Sequence, residues 1–304
     1  MSLTGEMTVD VTGGDGMQYR GSVGIIVMTA AALCMPNAAS QAFDDALYPA
    51  LTGQWTRAIV PGAAGLPPFD PTKPPGRGQQ APLTAEYQAK FEAALAERAA
   101  SGLGDVVATT CLAPGMPMMM QAYEPMQITV LPETTYILID HIHESHRRIF
   151  TDGRAWPKTV QPTYTGYSIG QWIDTDGDGR YDVLESETRY FKGPRVFDSS
   201  GIPLHEDNET VINERIYLDR ADRNLLHDEI TVIDHALTRP WTVMKNYRRT
   251  LDPLADWPEY NCNEQIPFVH IGSETYKVGQ DGYLMPTRSN QPPPDTRYFN
   301  QPKK

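Results

Sequence analysis

The stretch Gly166-Tyr167-Ser168-Ile169-Gly170-Gln171-Trp172-Ile173-Asp174-Thr175-Asp176-Gly177-Asp178-Gly179-Arg180-Tyr181-Asp182-Val183-Leu184-Glu185-Ser186-Glu187-Thr188-Arg189-Tyr190-Phe191 decides how the rest of the chain reads. Counted from Asp174, carboxylates fall at positions 1, 3, 5, 9 and 12 and a glycine at position 6, the ligand spacing of an EF-hand-type calcium loop. A hard cation wants six to eight oxygens. Asp174, Asp176 and Asp178 offer side-chain oxygens, Arg180 its backbone carbonyl, Asp182 a direct or water-mediated contact, and Glu185 a bidentate carboxylate. These acids, with one arginine among them, repel one another unless a cation offsets them. The metal-free alternative is a Gly/Asp-rich turn between two strands.

The flanks choose the setting. Before the loop the residues are aromatic, β-branched and glycine-bearing; after it, apolar and polar residues mix without a 3.6-residue period. Both flanks read as strands, so Ca2+ is expected as a clip at the tip of a β-hairpin and not between the helix pair of a sensor.

Outward from this hairpin the pattern repeats. Apolar runs at 127–131, 134–143, 147–150, 164–173, 182–191, 210–218, 229–234 and 241–249 are punctuated by Thr151-Asp152-Gly153-Arg154 and Asp219-Arg220-Ala221-Asp222. About eight short strands without intervening helices predict a mostly β fold: an antiparallel, lipocalin-like barrel, or a sandwich. A closed sheet of that size has no exposed edges and room for one small ligand. One helix is expected over 84–101, capped by Thr84, with Glu86 and Lys90 paired, a stripe of Tyr87, Phe91 and Leu95, and Gly102 ending it. Leu51-Thr52-Gly53-Gln54-Trp55 reads as a short anchor, 61–82 as an irregular Pro/Gly-rich connection, and 275–304 as an irregular tail after a single barrel domain over 43–274.

The N-terminus reads as a signal peptide over 1–42: Arg20, an apolar run from Val23 to Met35, then small residues ending Ser40-Gln41-Ala42. A periplasmic or secreted location is expected, with no transmembrane segment in the mature chain. Cys111 and Cys262 would remain and are expected to form a disulfide, which an entropic account values at about 4–5 kcal/mol. The charge balance is acidic, 26 Lys plus Arg against 38 Asp plus Glu, with no basic tract to follow a phosphate backbone, so nucleic acid is not an expected partner.

Thr151-Asp152-Gly153-Arg154, Gly166-Tyr167-Ser168-Ile169-Gly170-Gln171-Trp172, Gly193-Pro194, Gly201-Ile202-Pro203, Glu214-Arg215, Arg239-Pro240-Trp241 and Tyr260-Asn261-Cys262 together resemble a large group of exported proteobacterial β-rich proteins of unassigned function. The resemblance runs from about Gly53 to Cys262 and implies export and a β-rich shape. In that group the hairpin after the Trp is usually a short Glu-Gly-Asp-Thr turn, so the calcium-type loop would mark a subset.

Candidate chemistry lies elsewhere. Glu144, Arg148, Glu214 and His143 are candidate catalytic residues of a polar barrel interior, where charges must pair or bind something; the competing reading is salt bridges on the exterior. His141 and His143 share a strand face and could hold a transition metal with His146, His205, His227 or His235, or be ordinary satisfied histidines. Gly166-Tyr167-Ser168-Ile169-Gly170 has the letters of a nucleophile elbow but continues as strand, not as the helix that motif needs. Met116, Met118, Met119 and Met120 suit either Cu(I) or adaptable packing. Three functions follow: a module holding a small, partly apolar ligand in the barrel, an enzyme doing acid–base or metal-assisted chemistry there, or a purely structural envelope-associated protein with a filled core.

Overall fold

A computed structural model describes residues 44–58, 70, 72–74, 77–100, 104, 112–121, 124–141, 143–252, 255–257, 268–279 and 282–295. The expected signal peptide, Cys111 and Cys262 lie outside them.

The expected β-barrel with one helix is present. Nine strands close on themselves: β1 (Gly53–Ala58), β2 (Met126–Val130), β3 (Thr134–His141), β4 (His143–Phe150), β5 (Tyr167–Ile173), β6 (Val183–Arg189), β7 (Val211–Leu218), β8 (Leu225–Ile233) and β9 (Trp241–Arg249). The ninth strand is the supposed anchor around Trp55. As β1 it pairs antiparallel with both β2 and β9 and closes the sheet. Trp55 is fully buried and donates its indole N–H to the Leu51 carbonyl at 2.8 Å. A five-residue Trp-bearing run is too short to declare itself a strand, and only closure of the ladder reveals its role.

Nor is the barrel wholly antiparallel. β4 and β5 run parallel, Ile149 opposite Ser168 and Phe150 opposite Ile169. The connection 151–166 is far longer than the two to five residues of a hairpin loop, so β5 can begin beside the end of β4 and run the same way. All other barrel pairings are antiparallel. The C-terminal segment, expected to be irregular, holds a small antiparallel sheet of β10 (Phe268–Ile271), β11 (Glu274–Val278) and β12 (Leu284–Pro286).

The helix α1 (Ala85–Ala99) is capped by Thr84, whose hydroxyl accepts from Tyr87 N at 3.4 Å, and carries the Lys90–Glu86 pair at 3.1 Å. Its buried face is Tyr87, Phe91 and Ala94, with Leu95 packed partly against the core. It is tied to the barrel at its start: Leu83 bridges Leu237, and Thr84 N donates to the Ala236 carbonyl at 2.8 Å.

Period-two alternation then lines the inner face of the barrel. Ile137 and Ile139, Leu184, Ile212 and Ile216, Leu226, Ile230 and Val232, and Trp241 and Val243 belong to one buried cluster. Each such side chain contributes about 1.5–3 kcal/mol on leaving water. Met116, Met119 and Met120 join the same cluster, and Met118 is equally buried, which is the packing role of methionine. At the hairpin between β5 and β6, Trp172 is met edge-on by Tyr48 at 5.2 Å, Tyr48 also meets Tyr181 at 5.3 Å, and Tyr181 N donates to the Leu47 carbonyl at 2.8 Å. The calcium-type loop thereby fastens the segment preceding β1 to the barrel.

Candidate functional site

The same alternation that buries isoleucines also buries charge. On β4 the inward positions are Ser145, Arg147 and Ile149, and on β7 Ile212, Glu214, Ile216 and Leu218. Arg147, 2% exposed, donates from Nη1 to Glu214 Oε1 at 2.8 Å and from Nη2 to Glu214 Oε2, a two-pronged ion pair. Its other N–H groups reach Ser168 Oγ at 3.0 Å, Thr188 Oγ1 at 2.8 Å and Ser186 Oγ at 3.3 Å. Ser168 and Thr188 hydroxyls are also 2.8 Å apart, and Ser186 donates to Glu214 at 3.3 Å. Gly170 sits among them: a Cβ there would stand 2.7 Å from Ile149 Cγ2, so the missing side chain is what lets β4 and β5 pack closely.

Beside this saturated pair lies an unsaturated one. Asp228 on β8 and Lys245 on β9 are directly opposite each other and face the interior. Asp228 is 0% exposed, and neither of its carboxyl oxygens has a hydrogen-bond partner among the described residues. Burial, then the Glu214 charge, pushes its pKa well above the usual carboxylate range, which favours the neutral acid. Lys245, 5% exposed, is driven by burial, then by the Arg57 charge, down to a pKa of about 7. Its Nζ lies 5.6 Å from the centre of the Phe197 ring. Tyr247, next inward on β9, donates to the Met120 carbonyl at 2.5 Å, and burial raises its pKa. Trp241 and Thr135, both buried, also have side-chain polar atoms without partners among the described residues. A neutral acid beside an amine poised near neutral pH can give and take both a hydrogen bond and a proton.

The sequence candidates divide. Glu214 is at the heart of the interior, as expected. Glu144 and Arg148 are exposed, on the face opposite Arg147, with Arg148 lying 5.3 Å from the Phe150 ring centre, and they do not join Glu214. One residue of register separates them from the inside, and Arg147 takes the place expected of Arg148. His143 pairs with His141 across the tight β3–β4 turn, but its side chain lies outside the described set. His141 Nδ1 is 2.6 Å from Glu124 and His227 is held by Asn246 at 2.6 Å and Asp219 at 3.1 Å, so both have protein partners. Ser168 is the second residue of β5, which runs on as strand, and its hydroxyl is committed to Arg147 and Thr188, unlike a nucleophile elbow. No sequence motif marks Arg147, Asp228 or Lys245 as a functional residue. An acid at the second of four inward positions Leu226, Asp228, Ile230 and Val232, and a lysine amid Trp241, Val243 and Tyr247, was the available signal.

The calcium-type loop keeps part of its expected ligand set. Carboxylate oxygens of Asp174, Asp176 and Asp182 all lie within 4.8 Å of one another. Gly177 N and Gly179 N donate to Asp174 at 2.7 and 2.9 Å, Arg180 N donates to Asp178 at 2.8 Å, and Thr175 hydrogen bonds to Asp182 lower the pKa of that carboxyl. Gly179 has φ +86°, the left-handed conformation expected of the turn glycine. Glu185 is the exception. It stands opposite Gln171, two residues up the ladder from the last pair Ile173–Val183, and its carboxylate meets Arg215 at 3.1 Å and Gln171 at 3.4 Å. A helix would curl position 12 back over the loop. A strand carries it roughly 6–7 Å away. The three converging aspartates, with the remaining loop oxygens, fit a hard divalent cation without Glu185.

Among the described residues, no helix is long and apolar enough to cross a membrane. Comparison with protein-family models, with curated proteins and with solved structures gives no match to this chain.

Proposed function

We propose that the chain is an exported, calcium-clipped β-barrel that holds a small, partly apolar molecule inside the barrel, with Asp228 as the polar handle. The observation that carries this is the Asp228 carboxyl itself, fully enclosed with both oxygens unpartnered among the described residues. Leaving a buried polar group unpaired costs about 1–3 kcal/mol, an outlay that a fold retains where a ligand supplies the missing bonds. Its surroundings combine aliphatic side chains, Ile216, Ile230 and Val243 among them, with Lys245 opposite, which suits a ligand with one polar group on an apolar body. A neutral carboxyl is complementary to a primary amide or another carboxylic acid, which can pair with it through two hydrogen bonds. Export rests on the N-terminal apolar run, and Ca2+ on the three convergent aspartates.

A second reading has its own support. Lys245, with a pKa of about 7 opposite a neutral acid, is suited to act as general base or nucleophile on that same guest.

The test is a titration with alkyl primary amides, hexanamide and octanamide, followed by tryptophan fluorescence and calorimetry. Saturable one-to-one binding is expected, lost in Asp228→Leu and kept in the exterior variant Glu144→Gln. If no amide binds, or Asp228→Leu binds as the parent does, the reading fails.

A further inference from the structure

A second constellation lies outside the barrel, where the loop between β6 and β7 meets the turn that follows β8. Two imidazoles, His205 and His235, converge on one carboxylate, Asp207. Oδ2 of Asp207 is 3.0 Å from His205 Nδ1 and 2.5 Å from His235 Nδ1, and the two rings meet edge-to-face with centroids 5.5 Å apart. We propose that His205, Asp207 and His235 form a binding site for a divalent transition-metal ion of the Zn2+ type, with its remaining positions open to solvent.

Hydrogen-bonding roles favour a cation over a plain ion-pair cluster. The backbone N–H of Asp207 donates to His205 Nδ1 at 3.1 Å, which makes that nitrogen an acceptor. With Nδ1 as acceptor, two acceptors face each other 3.0 Å apart, and the one Nδ1 lone pair must turn from the Asp207 N–H to the ion for His205 to become a ligand. Asp207 Oδ2 faces His235 Nδ1 at 2.5 Å, and Asp207 Oδ1 accepts from Glu209 N at 3.0 Å. A positive ion shared by the three atoms removes that conflict.

The two approaches to Asp207 need little change, and the ligand atoms all lie within 4.8 Å of one another. Tetrahedral zinc, with bonds to imidazole nitrogen and carboxylate oxygen of about 2.0–2.2 Å, sets neighbouring ligand atoms about 3.3 Å apart. The present separations of 3.0 and 2.5 Å must therefore open by less than an ångström. His235, with its side chain 63% exposed, is free to swing by that much.

The other two ligands are held from behind. Asp234 accepts from His205 N at 2.9 Å and Ala236 N at 2.8 Å through one oxygen, and from Thr210 Oγ1 at 2.6 Å through the other. The Tyr87 ring of α1 lies 5.3 Å from the His205 ring, and the Arg195 guanidinium reaches Asn208 and Thr210 in the same loop. Two imidazoles and one carboxylate are a donor set for zinc, iron(II) or cobalt(II), while magnesium and calcium prefer oxygen alone. The site is thus distinct in chemistry from the aspartate loop at 174–182, which carries no imidazole.

The experiment titrates the untagged chain with Co2+, read by visible ligand-field absorption, and with Zn2+ by calorimetry in the presence of saturating Ca2+. One equivalent is expected to bind. His235→Ala, Asp207→Asn and His205→Ala should each weaken binding by at least the roughly 10–100-fold that loss of even an outer partner costs at a metal site. Asp176→Asn in the calcium-type loop and His141→Ala should leave Co2+ affinity unchanged. Because His235 is exposed, its variant keeps the fold, and a circular-dichroism melt verifies this. No Co2+ binding by the parent chain overturns the proposal, as does an affinity unchanged in His235→Ala or lost instead in His141→Ala. None of these readouts depends on whether the barrel interior holds a guest.

Discussion

Two acid–base pairs share the interior of one barrel, and they differ in how far the protein satisfies them. Arg147 and Glu214 meet through two hydrogen bonds and are surrounded by the hydroxyls of Ser168, Ser186 and Thr188. Asp228 and Lys245 face each other across β8 and β9 with both Asp228 oxygens unpartnered among the described residues. The first pair shows that this barrel is able to build a complete shell around buried charge. The second is therefore exceptional by the molecule's own standard, and burial is the first cause of the pKa shift of both its members.

The largest expected effect comes from Lys245. Its value falls from 10.5 in the unfolded chain to about 7 in the folded protein. Between those values the unfolded chain binds more protons, so stability is lost as pH falls through the window and is flat below it. The difference amounts to ~5 kcal/mol. Lys245→Met should be more stable than the parent at pH 7 by an amount of that order, with the gap closing towards pH 10. Denaturant titrations at each pH measure it; parallel curves for the two proteins would mean the amine is not desolvated.

Next in size is the contrast between the two acids. Glu214→Gln leaves Arg147 charged and enclosed without its counter-ion, for an expected loss of about 3–5 kcal/mol. Asp228→Leu removes a buried acid whose oxygens have no hydrogen-bond partner among the described residues and should leave stability unchanged or raise it. Equal losses from the two substitutions, measured at pH 7 by the same denaturant titration, would erase the distinction drawn between the pairs.

How this division was written in the sequence is instructive. Alternation on β4 puts Glu144 and Arg148 on one face and Arg147 on the other, and the charges alone do not say which face is inside. Ile149 shares a face with Arg147, and that parity was the usable clue. The strands and α1 were legible because their periods are long and regular. β1 was not, since a short run gains its identity only from partners on either side, β2 and β9. The parallel β4–β5 step was invisible for a similar reason: the length of 151–166 permits a crossover but does not dictate one. The pairing of His205, Asp207 and His235 depends on two loops meeting, which no local pattern encodes.

The same contrast recurs on the surface at the calcium-type loop, where it sets the smallest effects. Asp174, Asp176 and Asp182 converge on one another, whereas Glu185 has its partners in Arg215 and Gln171. Spacing alone makes Glu185 the bidentate ligand, so Glu185→Gln would be expected to abolish any gain from Ca2+. The strand geometry makes the opposite assignment. With Ca2+ at a hundred times its dissociation constant, binding should add about 2.7 kcal/mol, and Asp176→Asn should remove most of it because the exposed Asp176 carboxylate has no second role beyond accepting from Asp178 N at 3.3 Å. Glu185→Gln should cost only the ~0.2–1 kcal/mol of an exposed ion pair, equally with and without chelator. Thermal melts of the parent and both variants, with Ca2+ or with chelator, separate the cases: a calcium-dependent shift lost in Glu185→Gln but kept in Asp176→Asn would return the site to the helix-type ligand set and require the β5–β6 ladder to open at its tip.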